Sequence, residues 1–378
     1  MKQDIPELNI LIFVTCENAT FKHRYAIAIE HWLSKVSETF DVKPVLKFKE
    51  VNIITAGIPK MDEIKKHHGT FSVSQIPLGI VISGSFSRTR DNKPWMDKLR
   101  HTIRLCYVNQ IPIFGICFGF QILSQAFGSS CEPSPHGFNF GGFLYKLSDR
   151  ALPFFRPFIE DFYNDDKALR LFDSDLDADG ANHNLHTPNH STTNGFANNK
   201  DSLNNNSKVA NGHFVESEAS EKAAPVIKKS MDSMLGAFSH NDIVTSLPNV
   251  DSIDFGDLSY IDRTELYESL SDMVPIAISS LDKVPFVGLL IGNRSKTFIV
   301  AIQIHPEFDT VTGTFCRPQL FSGQKFWREI LSLKISQGVI TGQQYDDNLQ
   351  ALKFSNSGYV YGRMALSLFM NGHLKPKY

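Results

Sequence analysis

The chain begins with an alternation of short apolar runs and longer amphipathic segments. Residues 8–14 form an apolar run bounded by polar residues, which is the pattern of a strand buried on both faces. Residues 21–38 place large apolar side chains three and four positions apart, which predicts an amphipathic helix. Further strands are predicted at four places along the chain: 42–48, 78–82, 111–114 and 297–304.

Helical patterns separate or follow these strands. One covers 95–109, and three more follow the last predicted strand: 322–337, 341–353 and 357–370. Strands that alternate with helices pair in parallel through right-handed crossovers. The sequence therefore predicts an α/β fold with a single flavodoxin-like, doubly wound, mostly parallel sheet, helices on both faces and further helices at the C-terminus.

One long stretch breaks this pattern. Residues 174–229 hold only nine Leu, Ile, Val or Phe in 56 positions, together with ten Asn. Such a segment buries too little apolar surface to offset the entropy lost on ordering its backbone, so we predict a disordered insert. One domain is then split into 1–155 and 231–335, and 336–378 form a helical extension that packs on it.

Composition excludes several classes of protein. The 378 residues are 42% hydrophobic, which is enough for a sizeable core, and 38 Lys and Arg balance 40 Asp and Glu. Without a basic stripe or an apolar run of ~20 residues, neither nucleic acid nor a membrane is an expected partner. Five scattered cysteines without a CxxC pair indicate free thiols in a reducing compartment. We expect a cytoplasmic protein, with the nucleus not excluded.

Two features of the insert imitate metal sites. Residues 175–180 match the first half of a calcium-binding loop, but His186 occupies the twelfth position, where a bidentate Glu is needed. His183, His186 and His190 have spacing that could reach a metal, yet an Asn-rich tract offers no surrounding groups to orient them. We expect no metal in this protein.

The strongest chemical signal is an apolar strand that runs through Gly115-Ile-Cys117-Phe-Gly119 into a helical pattern. Glycines on either side of the cysteine permit a tight strand-to-helix turn, the thiol version of a nucleophile elbow. The thiol then lies at a helix N-terminus, where the dipole favours the thiolate by ~0.3–1 kcal/mol. A nearby base is needed as well. The alternative is a buried structural cysteine.

The base is predicted in Gln303-Ile-His305-Pro306-Glu307, at the carboxyl end of a buried strand. Active sites of α/β sheets gather at this edge. Pro306 disfavours a helix, so we expect an extended chain in which Glu307 and His305 point to the same side. The carboxylate then fixes the tautomer of the imidazole and leaves one ring nitrogen for Cys117. The alternative is a surface His–Glu pair.

An acyl-transfer site also requires donors for an oxyanion. The segment Ser83-Gly84-Ser85 follows another buried strand, so the N–H groups of Gly84 and Ser85 are candidates, and the N–H of Phe118 is a second source. A plain loop is the alternative for this tripeptide.

Together these motifs resemble class I glutamine amidotransferases, in the family's order. The signatures are an SGG or SGS oxyanion loop, G-[IV]-C-x-G-x-Q and Q-x-H-P-E. The resemblance implies Cys117 as nucleophile, His305 as base and acid, Glu307 as its orienter and Gln121 as a substrate-pocket residue.

Other stretches resemble the GMP-synthase-like, stand-alone branch of this family, over about 8–150 and 231–370. Residues 239–248 are similar to that branch's H-x-D-x-V-x-x-L-P segment, which implies that His240 and Asp242 line the glutamine pocket. Phe120 departs from the His or Met often found there, at a site that varies within the family. Ser85 replaces the second glycine of the oxyanion loop, as in the stand-alone branch.

Three functions remain open from the sequence. The first is hydrolysis of the γ-amide of glutamine, without a cofactor, with ammonia passed to an unidentified acceptor such as a separate synthetase subunit. The second is a γ-glutamyl peptidase, which uses the same acyl-enzyme chemistry with an amine as leaving group. The third is a non-catalytic interaction protein on this scaffold.

Overall fold

The computed structural model describes residues 6–18, 22–67, 78–164, 232–254, 260–281, 284–308, 323–338, 340–343, 345–346 and 357–377. The insert predicted over 174–229, with both candidate metal sites, lies outside these described residues. Most of the helix predicted over 341–353 also lies outside them.

The described chain contains eleven strands and eight helices, interspersed in the order expected of an α/β protein. The strands are β1 (Glu7–Val14), β2 (Val45–Asn52), β3 (Leu78–Ile82), β4 (Ile113–Ile116), β5 (Cys131–Pro133), β6 (Asn139–Lys146), β7 (Ser233–His240), β8 (Asp242–Val244), β9 (Val274–Leu281), β10 (Val284–Gly292) and β11 (Thr297–Ile302). The helices are α1 (Lys22–Ser37), α2 (Met61–His67), α3 (Pro94–Val108), α4 (Phe118–Ala126), α5 (Leu152–Asn164), α6 (Tyr260–Leu270), α7 (Gly323–Ser336) and α8 (Ser357–Asn371). Among these helices, none is long and apolar enough to cross a bilayer.

A seven-stranded sheet forms the centre of the fold, in the order β2-β1-β3-β4-β11-β10-β9. The first five strands in that order pair in parallel, whereas β10 pairs antiparallel with both β11 and β9. Every residue of β3, β4 and β11 is buried, as a parallel strand covered on both faces requires. The predicted mostly parallel sheet is confirmed.

Helices cover both faces of this sheet. Alternate side chains of β1 point to opposite sides, because successive residues of a strand alternate. Ile10 and Ile12 belong to one hydrophobic cluster with α1, α5 and α8, and Leu11 and Phe13 belong to a second with α2, α3, α4 and α6. The doubly wound arrangement is therefore as the sequence predicts.

The antiparallel edge of the sheet is a feature that the sequence did not predict. Strands β9 and β10 are separated by two residues, a connection that only antiparallel neighbours can use. Two ribbons also lie outside the main sheet, formed by β5 with β8 and by β6 with β7. The strand predicted over 42–48 instead begins at Val45, directly after Pro44, and extends to Asn52. It is an edge strand, and its Lys47 and Lys49 are exposed.

Helix α8 is part of the core. Eleven of its residues are buried, and the Phe369 ring packs directly against Gly79 of β3, where a Cβ atom would collide with it. The indole N–H of Trp32 in α1 donates a hydrogen bond to the carbonyl oxygen of Gly358 at 2.6 Å. The helix predicted over 357–370 is confirmed as a helix, and it covers the sheet beside α1.

We predict that Phe369→Ala lowers the free energy of unfolding by ~3–5 kcal/mol, because it leaves a cavity over Gly79. Urea unfolding followed by circular dichroism measures the change. Ser367→Ala on the same helix is the control, since Ser367 is only partly buried, and its unfolding midpoint should stay near that of the wild type. Equal midpoints for both variants would show that α8 does not contribute to the core as described.

Candidate active site

Cys117 lies in a strained turn between β4 and α4. Its backbone has φ 52° and ψ −102°, in a region that residues with a side chain rarely adopt. Two main-chain hydrogen bonds hold the turn: Cys117 N–H donates to Ile302 O at 2.8 Å, and Gln121 N–H donates to Cys117 O at 3.1 Å. The geometry is that of a nucleophile elbow, and it places the sulfur at the N-terminus of α4.

Residues 115 and 119 must be glycines, because neighbouring atoms already occupy the space that a Cβ atom would take at either position. A Cβ atom on Gly119 would collide with the carbonyl oxygen of Ile82 at the end of β3, and one on Gly115 would collide with Leu123 of α4. The start of α4 therefore packs directly on the ends of two neighbouring strands, which brings Cys117 close to the loop that follows β3.

His305 and Glu307 follow β11, the neighbour of β4 in the sheet. Parallel neighbours end at the same edge, so this order brings His305 to Cys117. The imidazole Nδ1 donates to Glu307 Oε1 at 2.8 Å, and the ring also hydrogen-bonds the Cys117 sulfur. All three side chains are buried.

The local backbone differs from the expected extended chain. Residues Pro306–Phe308 form one turn of 3₁₀ helix, and Pro306 occupies its first position, where no backbone N–H is needed. Glu307 therefore reaches His305 through this turn. The predicted contact is formed, but by a different backbone conformation.

The imidazolium form of His305 is stabilised in this setting. Burial opposes the charge, but the Glu307 carboxylate and the Cys117 sulfur together raise the pKa of His305 to about 10. His305 is therefore a strong proton acceptor. Its ring stacks on that of Phe308 with centroids 4.7 Å apart, and this contact fixes the plane of the imidazole.

The predicted oxyanion loop lies beside the His305 ring. A Cβ atom placed on Gly84 would be 3.1 Å from both His305 Cε1 and Tyr25 Cε1, so the loop backbone approaches the ring closely. The Ser85 hydroxyl donates to Thr15 O at 2.6 Å and thereby anchors the loop to the end of β1. Phe118 is the first residue of α4, where an N–H has no acceptor within the helix.

The three predicted pocket residues meet at one carbonyl oxygen. Gln121 Nε2 donates to the main-chain oxygen of Asp242 at 2.9 Å, and His240 Nδ1 lies 3.0 Å from the same oxygen. Burial lowers the pKa of His240 to about 3, so this ring is neutral. The Asp242 carboxylate pairs with Arg90, with Nε 3.4 Å from Oδ2. Whether these side chains touch a substrate stays a prediction.

Comparison with known proteins assigns the family. The family model described as "Glutamine amidotransferase class-I" matches residues 50–249, which is over half of the chain. The chain belongs to the class I glutamine amidotransferase family. The matched region contains the oxyanion loop, Cys117 and Asp242, and ends before His305.

Relatives share short stretches of this amidotransferase. A protein of Saccharomyces cerevisiae named "Putative glutamine amidotransferase" is 39% identical over 75 residues, 19% of this chain and 30% of the relative. A GMP synthase (glutamine-hydrolysing) of Tropheryma whipplei is 49% identical over 57 residues, 15% of this chain and 10% of the relative. The chain thus matches less than a third of the length of these curated relatives.

Among solved structures, a glutamine amidotransferase from Thermotoga maritima is similar with 13% sequence identity and a TM-score of 0.47. The alignment covers 97% of this chain and 99% of the Thermotoga chain.

Two residues beside Cys117 in this candidate site were missed from the sequence. Gln303 is fully buried and donates from Nε2 to the Cys117 sulfur at 3.5 Å. Its place two residues before His305 was a usable signal, because the motif itself contains it. Tyr25 gave no such signal, since it forms part of the apolar stripe of α1. Burial, with nearby Cys117 and Glu307, raises its phenol pKa well above the usual value, so the hydroxyl stays neutral.

Within the described ranges, no cluster of His, Cys, Asp and Glu is arranged to hold a metal ion.

We predict that Glu307→Gln lowers the pKa of His305, because the variant removes the negative charge that stabilises the imidazolium. An NMR titration of the His305 Cε1 proton measures it, with Glu265→Gln on exposed α6 as control. In the wild type, charged His305 stabilises the fold fully below pH 6.5, and this contribution is lost as the pH rises toward about 10. A wild-type midpoint near 6.5, or equal midpoints in wild type and Glu307→Gln, would contradict the described pairing.

Proposed function

We propose that this amidotransferase hydrolyses the γ-amide of glutamine through a thioester on Cys117 and passes the ammonia to an acceptor or partner. The observation that carries the proposal is the buried contact series from the Cys117 sulfur through the imidazole of His305 to Glu307. Hydrolysis of an unactivated amide needs a nucleophile, a proton carrier and an oxyanion site, and the chain has a candidate for each.

The proposed first half-reaction forms the thioester. The Cys117 sulfur attacks the γ-carbonyl carbon, and His305 holds the proton that leaves the thiol. The N–H of Phe118 and the N–H groups of the Gly84–Ser85 loop receive the negative oxygen. His305 then protonates the departing nitrogen, the C–N bond breaks, and ammonia leaves.

The second half-reaction returns the enzyme to its starting state. His305 removes a proton from water, the resulting hydroxide attacks the thioester, and the C–S bond breaks to release glutamate. His305 returns the proton to the sulfur. Glu307 keeps the imidazole in one tautomer through both steps, so Glu307→Gln should lose less activity than His305→Asn.

The acceptor of ammonia is proposed to be supplied by a separate synthetase subunit. The GMP synthase relative carries the words "glutamine-hydrolyzing" in its name, which supports glutamine as the substrate class. Residues 240–244 are proposed to shape the side of the pocket that faces the leaving amine.

We predict that Cys117→Ala abolishes glutaminase activity, and that His305→Asn lowers kcat by ~10³–10⁴, because the members of such a triad act as a unit. Glutamate release measured by a coupled assay tests this. Cys106→Ala in α3 is the control, since Cys106 belongs to the other hydrophobic cluster, and it should keep near wild-type kcat. Thermal midpoints are recorded for all variants. Activity retained by Cys117→Ala would overturn the assignment of the nucleophile.

We further predict that glutamine is turned over at least as efficiently as a γ-glutamyl dipeptide. Both substrates acylate Cys117, and they differ only in the leaving amine. The ratio of their kcat/KM values therefore reports how well the pocket accepts each leaving amine. A dipeptide preferred by a hundredfold would replace the glutaminase by a γ-glutamyl peptidase with the same triad. Failure of both substrates, and of a glutamine-like electrophile to label Cys117, would favour a non-catalytic scaffold.

A further inference from the structure

We propose that Gln303 is a second hydrogen-bond partner of the nucleophile, which stabilises the Cys117 thiolate, and that Gln121 acts as the positioning residue that orients the Gln303 amide. The inference deepens the proposed function and depends on it only in taking Cys117 as the nucleophile. In this inference Gln121 hydrogen-bonds another residue of the protein, whereas the sequence analysis predicted that it contacts the substrate.

A continuous set of hydrogen bonds links the Asp242 main chain to the sulfur. Gln121 Nε2 donates to Asp242 O at 2.9 Å and to Gln303 Oε1 at 3.2 Å, and Gln303 Nε2 donates to the Cys117 sulfur at 3.5 Å. Gln121 and Gln303 are both at least nine-tenths buried. Because both side chains are buried, water cannot readily replace a hydrogen bond that is lost when one of these donors is removed.

The orientation of both amides follows from one fixed acceptor. A main-chain carbonyl only accepts, so the group of Gln121 that faces Asp242 O is its NH₂ group. That NH₂ group has two hydrogens, and the second points to Gln303, so the Gln303 group facing it is the carbonyl oxygen. The remaining NH₂ group of Gln303 must then face the sulfur.

An N–H directed at the sulfur stabilises the thiolate more than the thiol. Hydrogen bonds to a charged acceptor are about twice as strong as neutral ones, and in a buried site the difference is not lost to water. The thiol form has its own partner, because the Cys117 S–H can donate to Ser239 O at 3.8 Å. Gln303 and Ser239 therefore favour opposite protonation states of the same sulfur.

Other titratable groups act on this sulfur from the elements packed around it. Tyr25 of α1, Cys131 of β5 and His305 after β11 each interact electrostatically with Cys117. These groups in turn interact with Cys16, Glu307 and His240. None of them is altered by a substitution at Gln303 or Gln121, so each contributes equally to wild type and variants.

The test is the pH dependence of Cys117 alkylation by iodoacetamide in the full chain, followed by mass spectrometry of the peptide that contains Cys117. Gln303→Met keeps the side-chain length and removes the donor. We expect its alkylation midpoint to rise by about one pH unit, which lowers the alkylation rate constant roughly tenfold at pH values below both midpoints. The limiting rate constant at high pH should not fall.

Gln121→Met tests the orienting role separately. Loss of the Gln121 NH₂ group frees the Gln303 amide to rotate, so the midpoint should rise in the same direction by a smaller amount. Gln125→Met is the matched control, because Gln125 lies on the same helix and pairs with Arg100 instead. Its alkylation midpoint should equal that of the wild type.

A purely structural role of the two glutamines predicts a lower thermal midpoint with an unchanged alkylation midpoint, and that outcome would overturn the proposal. If Gln303→Met fails to fold, Gln121→Met decides, and an unshifted midpoint in that variant has the same meaning. If the wild type hydrolyses glutamine but the variants show no shift in the alkylation midpoint, this inference alone is refuted. A shift without any turnover by wild type refutes the proposed function alone.

Discussion

The hydrogen bond from the Cys117 N–H to the carbonyl oxygen of Ile302 is the constraint on which the site depends. It pins the strained turn after β4 to the end of β11, and a residue with positive φ persists only where its surroundings hold it. Because β11 continues into Gln303 and His305, the same bond holds the Cys117 sulfur close to both of these side chains. The turn at Cys117 and the imidazole of His305 are thus parts of one local arrangement of two neighbouring strands.

Burial gives this arrangement its chemistry. In a water-exposed pair, the carboxylate of Glu307 would be screened and would change His305 little. With both side chains buried, the carboxylate and the Cys117 sulfur together outweigh the cost of burying an imidazolium, and the pKa of His305 rises to about 10. The nearby His240 is buried without a carboxylate contact of this kind, and its pKa falls to about 3. Two histidines close in space therefore have opposite protonation states, set by their immediate neighbours.

The parts that could be predicted from the sequence are those encoded by local pattern. The buried runs of β1, β3 and β11, and the glycines around Cys117, each specify their own conformation. The pairing of β10 with β11 at the antiparallel edge and the packing of Phe369 on Gly79 involve contacts that a local sequence pattern cannot identify. The His305–Glu307 contact was predicted from the wrong backbone, since both an extended chain and a 3₁₀ turn can bring these side chains together. The amide contacts of Gln303 could not be predicted without the strand order, which places β11 beside β4.

The measurement that tests the account most directly is capture of the acyl-enzyme. Wild-type protein mixed with glutamine and quenched in acid within the first turnover should carry one γ-glutamyl group on the peptide that contains Cys117, detected by mass spectrometry. The modified fraction should rise and hold a steady level while glutamine is in excess, and hydroxylamine should remove the group, as expected of a thioester. Glutamate release without any adduct on Cys117, or an adduct on another residue, would contradict the account.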